Sequence, residues 1–333
     1  MTSNEMRAVV ITRFGGPEVL EVRNVLRPEP ESNEVLVRVQ ASALNRADLL
    51  QRRGQYPAPP GAPADIPGME FSGEVHAIGA SVRLWKPGQR VIGLTGGGAY
   101  AEYLVAHERT LAEAPANLSW PELAAIPEAF ITAHDALWMQ ARLRPSERVL
   151  THAVGSGVGL AALQLTRAMN AIPYGTSRTA DKLQRAKALG LESGFVVPDP
   201  PTPAAGNEWS KDGGFDVVLD LAGGAYTNAS LHALALQGRI VLVGTMAGAK
   251  AELDLGLMLG KRAKMIGTVL RARPLEEKIA VTHAFADEVL PLFRNGVLRP
   301  IIDSEFSMQD VGRAHERMES NETFGKIVLR MSD

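Results

Sequence analysis

The stretch HAVGSGVGLAALQLTRAMN, residues 152–170, decides the fold of this chain. It continues the apolar run RVLTHAV (148–154), and its second half has the apolar spacing of a helix. Glycines 155, 157 and 159 occupy the turn, where the missing Cβ lets the backbone approach a ligand closely. A turn between strand and helix directs backbone N–H groups and the positive helix end at a pyrophosphate. We therefore predict a dinucleotide-binding turn with contacts from Ser156, Gly157 and Val158, although Leu160 breaks the G-x-G-x-x-G spelling.

The alternation of strand and helix continues beyond this turn. Strands are predicted at RVLTHAV, IPYGTS (172–177), GFVVP (194–198), FDVVLDL (215–221), RIVLVGT (239–245) and KMIGTVL (264–270). Helices are predicted between them, at 159–170, 179–190 and 225–236. Repeated βαβ units of this kind predict an α/β fold with a doubly wound parallel sheet.

The rest of the chain has a different rhythm. Residues 6 to 125 contain short β-rich segments separated by Gly and Pro: MRAVVITRF, EVLEVRNV, NEVLVRVQASALN, FSGEVHAIG, QRVIGLT and AYAEYLVA. A helical stretch at 274–296 precedes the extended segments PIIDSEF and KIVLRM. We predict a β-rich domain from 1–125 and 271–333, with the α/β domain, 126–270, inserted and a ligand cleft between them.

Composition excludes several classes of function. The 35 basic and 37 acidic side chains nearly balance, and no basic block indicates a nucleic-acid partner. The chain has no cysteine, which excludes disulfides, thiolate catalysis and cysteine-ligated metals. No apolar run approaches the length of a membrane helix or of a signal-peptide core, so the expectation is a soluble cytoplasmic protein that binds small molecules.

The residues after the second predicted α/β strand indicate which dinucleotide binds. An NAD site expects an acidic residue there for the ribose 2′-hydroxyl, whereas a 2′-phosphate prefers basic and hydroxyl side chains. The chain has Ser177, Arg178, Thr179 and Lys182, which favours NADPH. The alternative is that Arg178 and Lys182 are solvated charges at a helix start.

No catalytic metal is expected. A catalytic zinc needs three protein ligands, and no two of the seven histidines have ligand-like spacing.

Several segments together resemble one family: GGPEVLEV, ASALNRADLLQRRGQYPAPPG, PGMEFSGEV, AAIPEAFITAHDAL, HAVGSGVGLAALQLTRAMNAIP and GKIVL. They look like a zinc-free quinone oxidoreductase of the medium-chain dehydrogenase/reductase superfamily, and are most similar to its tumour-suppressor-inducible branch. The resemblance spans nearly the whole chain. It implies a GroES-like β-rich catalytic domain, a central Rossmann domain, NADPH as cofactor, and a homodimer.

The resemblance also assigns site residues. It places Asn45, Asp48 and Tyr56 near nicotinamide and substrate, with Asn45 orienting a carbonyl and Tyr56 providing a ring wall and a donor hydroxyl. Zinc-dependent relatives have cysteine, histidine and cysteine where this chain has Asn45, Met69 and Glu128. Further cofactor contacts are implied for Thr132, Gly244, Thr245, Met246, Gly267, Thr268, Val269 and Lys326. Val197 stands where members of the family often have a tyrosine near the adenosine, so that contact is not expected here.

The chemistry that fits is two-electron reduction of a quinone, which needs hydrogen-bond donors and a proton once hydride has been delivered. Two alternatives remain open. One is NADPH-dependent reduction of a 2-alkenal or enone, and the other is an NADPH-binding sensor or structural protein without turnover.

Overall fold

The computed structural model describes residues 4–197 and 200–331. The chain divides into two compact units. Unit 1 comprises Met1–Ile131 and Leu270–Asp333, and unit 2 comprises Thr132–Val269. The first division falls six residues after the boundary that we expected at 125/126, inside the helix Pro127–His134, and the second falls one residue before the expected 270/271.

The first segment of unit 1 is mainly β-structure. Its strands are β1 (Glu5–Ile11), β2 (Leu20–Leu26), β3 (Glu34–Ala43), β4 (Glu70–Ile78), β5 (Arg90–Leu94), β6 (Tyr103–His107) and β7 (Leu111–Glu113). Its helices are α1 (Arg46–Arg52), α2 (Trp120–Ala124) and α3 (Pro127–His134). Sequence patterns predicted a strand already from Ala99, but only Tyr103–His107 pairs with β3, while Ala101 makes an isolated bridge to β1.

Unit 2 alternates strands and helices. After a π-helical segment, Asp135–Gln140, come β8 (Arg148–Thr151), α4 (Gly157–Ala168), β9 (Ile172–Ser177), α5 (Ala180–Ala188), β10 (Ser193–Val196), α6 (Pro203–Trp209), β11 (Phe215–Asp220), α7 (Ala225–Ala233), β12 (Leu234–Leu242), α8 (Leu255–Lys261) and β13 (Lys264–Gly267). All strands pair in parallel in the order β10-β9-β8-β11-β12-β13. This doubly wound order confirms the predicted α/β fold class, and its switch point lies between β8 and β11.

Unit 1 is completed by the last segment of the chain. It contains α9 (Leu275–Glu288), α10 (Leu290–Arg294), β14 (Ile302–Ser307), α11 (Val311–Glu319) and β15 (Lys326–Arg330). Strand β15 pairs with both β14 and β3, so the final residues join the sheet β14-β15-β3-β4-β5-β7. Through this pairing, the carboxyl-terminal segment of the chain becomes part of the β-rich unit 1.

The limits of some elements in unit 2 differ from the predictions. Residues 234–236 were predicted to be helical, but Leu234 pairs with Phe215 and begins β12. Continuous apolar spacing in AYTNASLHALAL does not distinguish a helix end from a buried strand start. Helix α6 was not predicted, and the predicted strand GFVVP ends at Pro198, outside the described residues.

Within the described residues, no helix combines the length and apolar character that a membrane crossing requires.

Candidate active site

The glycine-rich turn of unit 2 joins β8 to α4. Ser156 is the N-cap of α4, and its Oγ accepts a hydrogen bond of 3.1 Å from the Gly159 N–H. A Cβ on Gly159 would lie only 2.5 Å from the Ala153 carbonyl oxygen, so the turn requires glycine there. Gly157 and Val158 form the first turn of α4, where backbone N–H groups have no partner within the helix. The Ser156 hydroxyl keeps its hydrogen for donation, so this turn fits a phosphate group.

The end of β9 carries the residues predicted to select the cofactor. Ser177 is buried and its Oγ accepts from the Thr179 N–H at 3.3 Å, whereas Arg178 and Thr179 are exposed and Lys182 is half-buried. The nearest acidic residue in sequence, Asp181, lies on α5 and is 4.0 Å from Arg185. No carboxylate therefore directly follows the strand, an arrangement that fits a 2′-phosphate better than a free 2′-hydroxyl.

The remaining predicted contacts of unit 2 lie around two further strand ends. Residues 244–246 were expected to end one strand and residues 267–269 to lie in the next. Strand β12 ends at Leu242 and β13 at Gly267, so only Gly267 lies in a strand and the others follow the strand ends. Thr245, Met246, Gly267 and Val269 are exposed. The Thr268 hydroxyl donates to Asp135 Oδ2 at 2.6 Å, and Thr132 is buried. Because the strands are parallel, their carboxyl ends share the edge of the sheet where doubly wound folds bind ligands.

Unit 1 holds Asn45 and Lys326 in one buried polar cluster. The Lys326 ammonium donates to Asn45 Oδ1 at 2.6 Å, to Glu70 Oε1 at 2.6 Å and to the Leu44 carbonyl at 2.8 Å. The Asn45 amide in turn donates to Glu70 Oε1 at 2.9 Å and to the Ala43 carbonyl at 3.3 Å.

This cluster shows the contacts of two predicted site residues. An ammonium has three N–H groups, and those of Lys326 point at three oxygen atoms inside unit 1. The Asn45 amide hydrogens likewise point at Glu70 and the Ala43 carbonyl. The cofactor contact of Lys326 and the substrate contact of Asn45 stay predictions.

Asp48 is completely buried beneath this cluster. Its Oδ2 accepts from the Asn45 N–H at 2.7 Å and from the Tyr100 hydroxyl at 3.0 Å, and its Oδ1 accepts from the Gly68 N–H at 3.2 Å. Burial raises the pKa of Asp48 to about 6, although the hydrogen bonds from Asn45 and Tyr100 and the charges of Lys326 and Arg271 lower it. Asp48 therefore fixes the start of α1 and the Gly68 loop, and its place near nicotinamide and substrate stays a prediction.

Tyr56 lies half-buried beside a residue that sequence reasoning missed. The Arg271 guanidinium is 4.9 Å from the centre of the Tyr56 ring, and its Nη1 donates to the Tyr56 carbonyl at 3.3 Å. The Tyr56 side chain is not fully buried, and its hydroxyl has no hydrogen-bond partner among the described residues, so it is free to donate. Only the basic run RAR directly after the last predicted α/β strand could have drawn attention to Arg271.

The residues at the zinc positions do not fit a zinc ion. An amide and a thioether, from Asn45 and Met69, are poor zinc ligands. The third position, Glu128, has its carboxylate 3.9 Å from the Lys326 ammonium, and its backbone N–H donates to Glu70 Oε2 at 2.8 Å. Among the described residues, no group of three or more His, Asp or Glu is arranged to hold a metal.

Comparison with known proteins agrees with both parts of the fold. Residues 31–116 match the alcohol dehydrogenase GroES-like domain family, and residues 193–329 match the zinc-binding dehydrogenase family. The quinone oxidoreductase of Lama guanicoe is 32% identical, with 97% of each chain covered.

The chain belongs to the medium-chain dehydrogenase/reductase superfamily. Among solved structures, this dehydrogenase/reductase is similar to the quinone oxidoreductase of Pseudomonas syringae pv. Tomato DC3000, with 27% identity, a TM-score of 0.86 and 98% and 100% of the two chains covered. It is also similar to an NAD-dependent alcohol dehydrogenase, with 32% identity, a TM-score of 0.83 and the same coverage. The family resemblance and the GroES-like plus Rossmann fold are thereby confirmed. The dehydrogenase/reductase is an oxidoreductase of a family that uses a nicotinamide cofactor.

Proposed function

We propose that this dehydrogenase/reductase is a zinc-independent NADPH:quinone oxidoreductase. The observation that carries the proposal is the Tyr56 hydroxyl, which has no partner among the described residues while Arg271 holds its ring and carbonyl. When bound, the reduced cofactor supplies a hydride. A quinone that accepts it develops negative charge on oxygen, which a donor hydroxyl stabilises.

The roles of the individual residues follow from their contacts. Tyr56 donates to the acceptor oxygen, while a proton from this hydroxyl or from water completes the hydroquinone. The start of helix α1 is positioned by hydrogen bonds within unit 1. These bonds are made by the side chains of Asn45, Asp48 and Lys326. Zinc independence is supported by the amide of Asn45 and the thioether of Met69 at two positions of the metal ligands, and by the Lys326 ammonium 3.9 Å from the Glu128 carboxylate at the third.

The proposal for NADPH rests on unit 2. The Ser156 turn and the first N–H groups of α4 would hold the pyrophosphate, and Ser177, Arg178, Thr179 and Lys182 would surround the 2′-phosphate. Residues 244–246 and 267–269 stay assigned to the nicotinamide half because they lie at or just after the carboxyl ends of β12 and β13.

The test is a steady-state assay of NADPH oxidation with a panel of ortho-quinones, para-quinones and 2-enones. Reduction of quinones with NADPH preferred over NADH supports the proposal. Activity confined to enones would replace it with the enone reductase alternative. Tight NADPH binding without turnover of any acceptor would favour a sensor. Stoichiometric zinc in an active preparation would contradict the zinc-independent assignment.

We also propose a homodimer and a cytoplasmic location, as the resemblance implies. Strand β13 is the last strand of its sheet, and helix α8 just before it exposes Leu255 and Leu259. An edge strand with exposed leucines beside it forms a surface that can pack against the same surface of a second chain. Light scattering after size exclusion that shows only monomer would contradict the dimer.

A further inference from the structure

Arg271 is a buried cation whose bonds all go to neutral oxygen atoms. It is 6% exposed, and its Nε donates to the Gly96 carbonyl at 2.8 Å, its Nη2 to Gln51 Oε1 at 2.5 Å and its Nη1 to the Tyr56 carbonyl at 3.3 Å. A guanidinium has five N–H groups, so one remains on each terminal nitrogen. Burial of a cation is costly unless an anion accompanies it.

No carboxylate of the described residues lies within ion-pair distance of Arg271. Burial lowers the pKa of Arg271, and the charges of Asp48 and Tyr56 act in the opposite direction without a direct bond. Asp48 itself is bonded to Asn45, Tyr100 and Gly68. The guanidinium is therefore incompletely neutralised within unit 1.

A second cation borders the same small cavity. The cavity measures about 20 Å³ and is lined by Arg271 and Lys278 together with the apolar side chains of Leu94, Ile131, Leu270 and Val281. Lys278 lies on α9, and burial together with the positive charge of Arg271 lowers its pKa. No side chain with a carboxylate lines this cavity, so an anion placed there would relieve the repulsion between the two cations.

The polar atoms around the cavity favour an anionic ligand over a neutral one. The hydroxyls of its two threonines are already donors, from Thr95 to the Gly97 carbonyl at 3.1 Å and from Thr282 to the Lys278 carbonyl at 2.8 Å. The side-chain donors that remain for a ligand are therefore those of Arg271 and Lys278. A volume of this size accepts a group of about the size of one water molecule, which fits the charged end of a ligand and not a whole ring.

We propose that Arg271 and Lys278 form a carboxylate subsite that selects acceptors bearing an acid group. The proposal rests on the proposed quinone reductase function and narrows its substrate class to quinone carboxylates. The cavity takes only the acid group, and the contact between Arg271 and the Tyr56 ring links the subsite to the donor hydroxyl. The carboxylate accepts the N–H groups that Arg271 has left, together with those of Lys278.

The experiment compares 1,4-naphthoquinone with its 2-carboxylate in the intact enzyme. Lys278→Met should lower kcat/KM for the carboxylate about tenfold or more and leave the value for the neutral quinone within about twofold, because one charge-assisted hydrogen bond is lost. Lys86→Met, which removes an exposed lysine elsewhere in unit 1, is the matched control and should change neither value. Equal effects of Lys278→Met on both acceptors would overturn the proposal.

A binding measurement separates this proposal from the proposed function. 2-Naphthoate is titrated calorimetrically into the protein without cofactor, for the unmodified chain and for both variants. Binding that Lys278→Met weakens and Lys86→Met does not supports the subsite even if no quinone is reduced. Equal naphthoate binding by all three proteins, or none by any, overturns the subsite even if quinones are reduced. Arg271→Met is a secondary variant because loss of its three bonds endangers folding.

Discussion

Lys326 donates a hydrogen bond of 2.6 Å to Asn45 Oδ1, across 281 positions of the chain. This contact joins the last strand of unit 1 to the start of α1, and Glu70 of β4 accepts from both side chains. The family resemblance assigned Lys326 to the cofactor and Asn45 to the substrate. Their shared bond shows that both residues also hold elements of unit 1 together, and the two assignments stay predictions.

Removing the Lys326 ammonium should strongly destabilise unit 1. Lys326→Met leaves the fully buried Glu70 carboxylate without its cation, which costs about 3–5 kcal/mol of unfolding free energy. The double variant Lys326→Met/Glu70→Gln should recover much of this loss because no buried charge remains unpaired. Urea denaturation of the unmodified chain, both single variants and the double variant measures the coupling, and purely additive effects would contradict the pairing.

The Tyr56 hydroxyl should contribute to turnover more than to stability. Tyr56→Phe keeps the ring under Arg271 but removes the donor, so kcat should fall about tenfold to a hundredfold with little change in the melting temperature. Tyr103→Phe, on β6 of the same unit, is the matched control and should keep full kcat. An unchanged kcat for Tyr56→Phe would remove the hydroxyl from the proposed chemistry.

Ser156 should act on both helix α4 and the cofactor. Ser156→Val removes the oxygen that accepts from the Gly159 N–H, which costs about 1 kcal/mol of stability. It should also raise the KM for NADPH or abolish activity because the hydroxyl donor is lost as well. Ser156→Thr keeps the hydroxyl and should preserve most of the affinity. If calorimetry gives the same NADPH affinity for the valine variant, Ser156 is a helix cap only.

Arg178 should determine the preference between the two nicotinamide dinucleotides. It is exposed directly after β9, so Arg178→Ala should raise the KM for NADPH about tenfold and leave the KM for NADH unchanged. Lys187→Ala, an exposed charge later on α5, is the control. A parallel rise in both KM values would indicate a general effect on the fold of unit 2.

Asp48 should make stability decrease with rising pH. Its pKa is raised from 3.8 to about 6, so the folded state binds a proton more tightly than the unfolded state. This contribution is complete below the unfolded pKa and is lost as the pH rises through about 6, amounting to about 3 kcal/mol.

The measurement compares the unfolding free energies of the unmodified chain and of Asp48→Asn between pH 3.8 and about pH 6. The difference between them should shrink as the pH rises, whereas parallel curves would show that Asp48 has an ordinary pKa. A carbon NMR titration of the Asp48 carboxyl in the intact protein checks the same value if the variant does not fold.

Part of this protein could be predicted from local patterns. The βαβ units of unit 2 follow from the period of apolar residues, because each strand and helix buries one face or stripe that the sequence itself displays. The N-cap role of Ser156 and the need for glycine at 159 also depend on near neighbours. Ser156 accepts from an N–H three residues later, and a side chain at 159 would collide with the preceding turn. The limits of β12 were predicted less well because Leu234 is assigned to a strand only by pairing with Phe215.

The sequence by itself determined the strand-turn-helix that fits a dinucleotide and the lack of acidic residues after β9, because these depend on neighbours along the chain. The tertiary structure decided what Asn45, Lys326 and Arg271 do. Arg271 meets the carbonyl of Tyr56 from 215 positions away, and no periodicity encodes such a contact. Hydrogen-bond capacity is finite, and only the folded chain shows how much of it each side chain already uses on distant partners.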